Sequence, residues 1–283
     1  MIFLLYNPKA GNGRAEEIAD RIRSKEQSSG IESINILDEK DAYGFMERAG
    51  QEDLVYLVGG DGTLNRFINA AGDLKALPEI FFYPAGTGND LKNDIDPDNI
   101  SDRIRINDYF DTLPTVSVNG REYRFFNGIG FGIDGYCCEE GDKIRARSDK
   151  PVNYTRIAIM GLLGKYKPRN AKVTVDGVTK EYKRVWLAPA MLGRFYGGGM
   201  MVAPGQDRKN KEHTLTCAVM SGTGKLKTLI RFPKIFTGRH IKYTDMMHMS
   251  RGHEITVEFD TPCALQIDGE TFLDVREYTA RYF

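Results

Sequence analysis

Within its first ninety residues the chain three times runs a short apolar strand into a glycine-rich turn and then a helix, a repetition that points to an α/β fold with a parallel sheet. The first unit is 2–6 followed by Asn7-Pro8-Lys9-Ala10-Gly11-Asn12-Gly13. The second is 54–58 followed by Gly59-Gly60-Asp61-Gly62-Thr63, and the third is 80–83 followed by Pro84-Ala85-Gly86-Thr87-Gly88-Asn89-Asp90. Glycines let backbone amides approach an anion with no Cβ in the way, and a helix that starts just afterwards adds free N–H donors and the favourable end of its dipole. Parallel neighbouring strands would bring all three turns to the carboxyl edge of one sheet, where open α/β folds bind nucleotides. One such turn has a steric explanation; three, the last two each placing an Asp among glycines and hydroxyls, imply a nucleoside triphosphate site. These turns are neither a Walker A loop, since no Gly-Lys-Ser or Gly-Lys-Thr closes them, nor the dinucleotide G-x-G-x-x-G, which argues against an ordinary P-loop NTPase or a Rossmann dehydrogenase.

The pattern changes near residue 112. Before it, 15–24 reads as a helix on the spacing of Ile18 and Ile22, as does 64–71. After it, hairpin signals take over: 116–118, Asn119-Gly120 and 123–126, then 172–175, Asp176-Gly177 and 178–187. Further strand-like runs are 215–220, 254–259 and 264–267. The expectation is an α/β first domain over 1–112 and a mainly β second domain over 113–283, with the last residues free to return to the first. Trp186, in a strand pattern, reads as core.

Composition sets limits. Lys plus Arg and Asp plus Glu both number 39, so no global field for nucleic acid exists, and no nucleic-acid module is recognised. Cys137 and Cys138 are adjacent and Cys217 and Cys263 stand alone, which gives neither a zinc pair nor Cys-x-x-Cys and suits a reducing cytosol. The opening stretch lacks a basic leader, and the apolar run 157–163 is far short of a bilayer span, so a protein not integral to the membrane is expected.

Gly59-Gly60-Asp61-Gly62-Thr63 together with Pro84-Ala85-Gly86-Thr87-Gly88-Asn89-Asp90 resembles the catalytic domain of diacylglycerol kinases, in particular the small soluble bacterial lipid kinases, related in fold to NAD and sphingosine kinases. Asn7-Pro8-Lys9-Ala10-Gly11, Phe131-Gly132-Ile133-Asp134, Gly197-Gly198-Gly199-Met200 with Ala203-Pro204, and Asp268-Gly269-Glu270 extend the similarity over nearly the whole chain. The resemblance implies an α/β domain plus a β-sandwich-like domain, an active site in the cleft between them, and ATP-dependent, Mg²⁺-requiring phosphorylation of a hydroxyl on diacylglycerol or a similar lipid, giving phosphatidic acid or an analogous lipid phosphate. An NAD or sphingoid-base kinase of the same fold, and a nucleotide-binding regulator without catalysis, are the alternatives.

Phosphoryl transfer to an alcohol needs cradled phosphates, a metal to offset developing charge and a carboxylate at the hydroxyl. Asn7, Pro8, Lys9, Gly11, Gly59, Gly60, Asp61, Gly62, Thr63, Gly86, Thr87, Gly88 and Asn89 are expected to hold the nucleotide, with Lys9 or Arg14 adding positive charge. Asp61 and Asp90 are the candidate Mg²⁺ ligands, directly or through water, and Asp61 and Glu270 the candidate catalytic residues, with Glu270 as the base. Asp268-Gly269-Glu270 also reads as a plain hairpin turn, and Asp134, before Gly135, as either a site residue or a turn former.

Four departures from the family pattern stand out. Asn65-Arg66 follows the second turn where a Glu is frequent, and Leu192 replaces an Asn. A third aspartate ahead of the second-domain hairpin does not map cleanly, with Asp108, Asp111 or Thr115 near its place. Residues 205–213 lack the Asp-Gly that can hold a structural metal.

Two basic regions concern the acceptor. From 143 to 172 nine Lys or Arg face one acid, Asp149, around the apolar run, and from 213 to 244 six occur with none. Cations beside apolar side chains suit an anionic membrane surface, while solvated faces of core helices look alike in sequence. The expectation is a cytoplasmic protein in transient peripheral contact with the inner membrane face, and it leaves a homodimer open.

Overall fold

The computed structural model describes the chain apart from residues 27–29, 39–41, 111 and 149–151; Asp111 and Asp149, named above, therefore lie outside the described residues. The chain divides into two compact units, Met1–Leu113 and Pro114–Phe283.

In unit 1, strands β1 (Ile2–Tyr6), β2 (Ile31–Asn35), β3 (Leu54–Gly59) and β4 (Glu79–Pro84) are parallel and β5 (Ile104–Arg105) adds an antiparallel edge, in the order β2-β1-β3-β4-β5. Central strands β1 and β3 are buried almost throughout, as continuous apolar runs covered on both faces must be. Helix α1 (Arg14–Lys25) lays Ala15, Ala19 and Ile22 on Leu4, Tyr56 and Val58, a stripe that recurs every three to four residues. Phe3 points to the opposite face, where its ring stands 5.0 Å from that of Phe45. Helix α2 (Asp61–Ala70) begins three residues earlier than its apolar spacing indicated, so Asp61, Gly62 and Thr63 form its first turn. Helix α3 (Asp90–Ile95) follows the third turn directly.

Unit 2 is built on a ten-stranded sheet. Its elements are β6 (Thr115–Val118), β7 (Arg121–Arg124), β8 (Gly128–Gly132), α4 (Ile133–Arg145), α5 (Tyr154–Met160), β9 (Arg169–Val175), β10 (Val178–Val185), β11 (Leu187–Met191), β12 (Phe195–Tyr196), β13 (Met200–Met201), β14 (Leu215–Met220), α6 (Lys225–Arg231), β15 (Met247–Gly252), β16 (Glu254–Ile267) and β17 (Glu270–Arg281). Both expected hairpins form, and Asn119-Gly120 and Asp176-Gly177 all take positive φ, as tight hairpin turns require. The two runs read as separate strands, 254–259 and 264–267, are one strand, β16, whose pairing slips between Glu258 and Cys263. Its first half pairs with β9 and its second with β8, so a bulge lets a single strand serve both layers of an antiparallel β sandwich. The last residues stay with unit 2: β17 pairs with β16 and β6, and Tyr282 N donates to His253 O at 2.9 Å, where the sequence reading left open a return to unit 1.

Trp186 is core, as expected, with its indole N–H on Thr223 O at 3.1 Å. Phe131 sits with ring centroids 4.7 Å from Phe259 and 5.4 Å from Tyr278, which ties β8 to β16 and β17. Phe131→Ala should therefore cost about 3–5 kcal/mol of unit 2 stability, measured by guanidinium unfolding; a loss under about 1 kcal/mol would show that this contact is not central to the core.

Candidate active site

Strands β1, β3 and β4 end in register, Tyr6 beside Val58 and Gly59 beside Pro84, so their turns start side by side. The chain runs β1 to β2 on one side and then crosses β1 to reach β3, which makes the carboxyl edge between β1 and β3 the switch point where open sheets take ligands. Contacts between turns lock the group. Asn7 N donates to Val58 O at 3.1 Å, Asn7 Nδ2 reaches Thr63 Oγ1 at 3.4 Å, and Ala85 N donates to Gly59 O at 2.7 Å. A Cβ on Gly11 would stand 1.8 Å from Ala85 O, and one on Gly86 2.7 Å from the Cα of Gly60. Only glycines allow the three turns to come this close.

The aspartates of the second and third turns meet directly. Asp61 Oδ2 accepts from Asp90 N at 3.0 Å and Asp61 Oδ1 from Leu91 N at 3.3 Å, so the second turn caps the helix of the third. That assignment takes the first amides of α3; the N-caps of α1 and α2 are the glycines Gly13 and Gly60, which have no side chain to cap with. Lys9 and Arg14 are exposed, Lys9 N closes the first turn on Asn7 Oδ1 at 3.1 Å, Thr87 is exposed, and Gly88 O is held by Asn93 Nδ2 at 3.0 Å. Asn89 turns the chain at φ 49° and keeps its Oδ1 buried without a protein partner.

Mg²⁺ fits Asp61 and Asp90 by donor chemistry. A carboxylate oxygen has two lone-pair sites, so accepting an amide does not by itself bar an Asp61 oxygen from a metal. Among the described residues no group of three His, Cys, Asp or Glu side chains could hold a metal unaided, so an ion here would complete its shell with phosphate oxygens and water.

Glu270 opens β17 in unit 2, partly exposed, just after the turn Asp268-Gly269, whose φ values of 47° and 91° make it the hairpin turn that the plain reading anticipated. Asp268 does more than turn the chain. Its buried carboxylate accepts from Phe126 N and Asn127 N at 2.8 Å and Gly128 N at 3.0 Å. Arg208, buried in the stretch that departs from the family pattern, donates to Phe126 O and, at 2.8 Å, to Asn127 Oδ1. Residues 126–128 are thus clamped by a carboxylate on their amides and a guanidinium on their acceptors, and Gln266 Oε1 fixes Gly269 N at 2.8 Å. Sequence reasoning missed Arg208 and the anchoring role of Asp268; Asp-Gly signalled only the turn.

Asp134 lies in the first turn of α4 and is buried, which rules out a surface turn. The Tyr196 hydroxyl and the Gln266 amide stand beside it, yet neither Asp134 oxygen, Tyr196 Oη nor Gln266 Nε2 meets a protein partner in hydrogen-bond geometry. Burial pushes the carboxyl up to about 7, with the Tyr196 hydroxyl partly opposing the shift. Tyr196 leads into Gly197-Gly198-Gly199, all at positive φ, in the β12–β13 hairpin. All four cysteines are free thiols, and burial pushes Cys137, Cys217 and Cys263 each up to about 12, so none of these three is an activated nucleophile. Of the remaining departures, Asp108 pairs with Arg105 on the surface and Thr115 opens β6.

Comparison with known proteins agrees with this architecture. The diacylglycerol kinase catalytic domain matches residues 1–109, and the YegS C-terminal NAD kinase β-sandwich-like domain matches residues 127–277. The chain belongs to the diacylglycerol kinase family, a family of phosphotransferases. A diacylglycerol kinase of Mycobacterium tuberculosis is 26% identical over 266 residues, covering 90% of this chain and 84% of that one. A diacylglycerol kinase structure from Bacillus anthracis superposes with a TM-score of 0.62 at 19% identity, covering 99% of this chain and 93% of the other. Sphingosine kinase B of Dictyostelium discoideum is 33% identical over 104 residues, which are 33% of this chain and 14% of that protein.

Two outcomes follow for unit 2. Asp268→Asn sets an NH₂ group against a backbone N–H and should cost about 2–4 kcal/mol, read from urea unfolding; an unchanged midpoint would remove the clamp from the account. The folded state keeps the Asp134 proton up to about pH 7, whereas the unfolded carboxyl loses it near its ordinary value, so the group's contribution to stability is full at acid pH and lost as pH rises through that window. Asp134→Asn should abolish this slope and leave the variant more stable than wild type at alkaline pH, by at most about 4 kcal/mol; parallel stability curves for the two proteins would contradict it.

Proposed function

We propose that the protein transfers the γ-phosphoryl group of ATP to a hydroxyl of diacylglycerol or a similar lipid. The observation that carries this reading is the convergence of the three glycine turns on one sheet edge, with Asp61 joining the second turn to the third. Membership of the family supplies the acceptor class.

In this reading the first and second turns bind the phosphates through backbone amides, and the third supports them from behind. Asp61 and Asp90 would hold Mg²⁺, which when bound would supply charge neutralisation at the transferring phosphate. Glu270 orients the acceptor hydroxyl and takes its proton as the new oxygen–phosphorus bond forms, while the bond to the β-phosphate breaks and releases ADP. The clamp of Asp268 and Arg208 fixes the hairpin that carries Glu270.

Purified protein incubated with radiolabelled ATP and separate pools of diacylglycerol, sphingoid base and NAD tests the proposal. Label should enter diacylglycerol. Label in the base or in NAD would move the chain to another kinase of the fold, and nucleotide binding without transfer would make it a regulator. Glu270→Gln should lower kcat by at least about a hundredfold while leaving ATP affinity within about twofold; undiminished turnover would reject Glu270 as the base. Gly86→Ala, whose Cβ meets the Gly60 backbone, should weaken ATP binding by about tenfold or more, measured by calorimetry.

A further inference from the structure

Gln266 of β16 links two parts of unit 2. It is 1% exposed, and its Oε1 accepts from Gly269 N at 2.8 Å, inside the turn that delivers Glu270. Across the hairpin it stands opposite Thr271, the residue after Glu270, and on its other side opposite Gly130 of β8, which has no side chain to crowd it. With Oε1 committed to the turn, Nε2 is left for the neighbouring carboxyl of Asp134.

Backbone packing fixes this approach. A Cβ on Gly135 would stand 2.1 Å from Ala264 O, so only glycine lets the start of α4 settle on β16 two residues before Gln266. Both Asp134 oxygens, Tyr196 Oη, Gln266 Nε2 and Thr271 Oγ1 are buried atoms that meet no protein partner in hydrogen-bond geometry. Buried polar atoms are nearly always satisfied, and these are complementary: the carboxyl accepts, the amide donates twice, and the hydroxyls do either. Asp134, Tyr196 and Gln266 adjoin, and directly or through a bridging water they form one network. Gln266 is the arm of that network that reaches the turn before Glu270.

We propose that Asp134 is a positioning residue for phosphoryl transfer: it holds the amide of Gln266, which holds Gly269 and so aims Glu270 at the acceptor hydroxyl. The inference deepens the reading of Glu270 as the base and rests on it. Misplacing a reacting group by about 1 Å costs on the order of a hundredfold in rate, so a side chain that touches no substrate still governs turnover.

Asp134→Asn keeps the size of the side chain but sets an NH₂ group among donors. It should lower kcat by about tenfold and leave the KM for ATP within about twofold, and Gln266→Leu should do the same. In a Glu270→Gln background neither change should lower kcat further, because no base is left to aim, whereas a general structural defect would multiply the loss. A second readout needs no catalysis. The ionisable groups around Asp134 are Cys137 and Cys138 on α4, Cys263 on β16, Tyr278 on β17, and Tyr166 and Tyr196, and burial pushes all of them up. Asp134 is then the member of this group that titrates near neutrality, so the Gly269 amide resonance of wild type should shift with a midpoint of about 7, and in Asp134→Asn that shift should vanish. Wild-type kcat in Asp134→Asn, a further loss in the Glu270→Gln background, or a Gly269 amide indifferent to pH would overturn the proposal. If wild type phosphorylates no acceptor, the kinase reading fails by itself, and the Gly269 titration still decides whether Asp134 grips the turn.

Discussion

The carboxylate of Asp61 in the second turn gives both its oxygens to the third, accepting the first two amides of α3. Three strand-end loops could otherwise splay, because each is rich in glycine and loses much conformational entropy on ordering. The bond between turns, with the close backbone approach of Gly60 and Gly86, converts them into one rigid surface. It also decides which amides are available. With the first two amides of α3 taken by Asp61, those two are not available to an anion.

Much of this was legible in the sequence because glycine turns and apolar runs are local signals. The strands of the first three units and both predicted hairpins match within a residue or two at most ends. What failed to show was non-local. Edge strand β2, Ile-Glu-Ser-Ile-Asn, is too polar to announce itself, since only one of its side chains is buried. The early start of α2 escaped because Asp61, Gly62 and Thr63 carry no apolar period. Strand β16 looked like two strands because its bulge passes through polar residues, and the span of both layers is visible only once its partners are known.

Candidate site residues divide along the same line. Those from the three turns were found by motif, and the structure brings them together in unit 1. Glu270 was placed by its motif in unit 2, but the machinery that holds its hairpin was not foreseen. Asp268 grips amides some 140 residues earlier in the chain, and Arg208 lies in a stretch that read only as a departure from the family. Asp134 is the sharpest case: from sequence it was equally a turn former, and its burial beside Tyr196 and Gln266 depends on strands far apart in the chain.

The account's central claim is that the first and second turns grip a triphosphate through backbone amides. Amide chemical shifts followed during titration with ATP and Mg²⁺ test it most directly. The account predicts saturable shifts concentrated at Gly11–Arg14 and Gly60–Thr63, with smaller changes at Gly86–Asn89. Saturation with shifts clustered elsewhere, or no shifts at all, would contradict it.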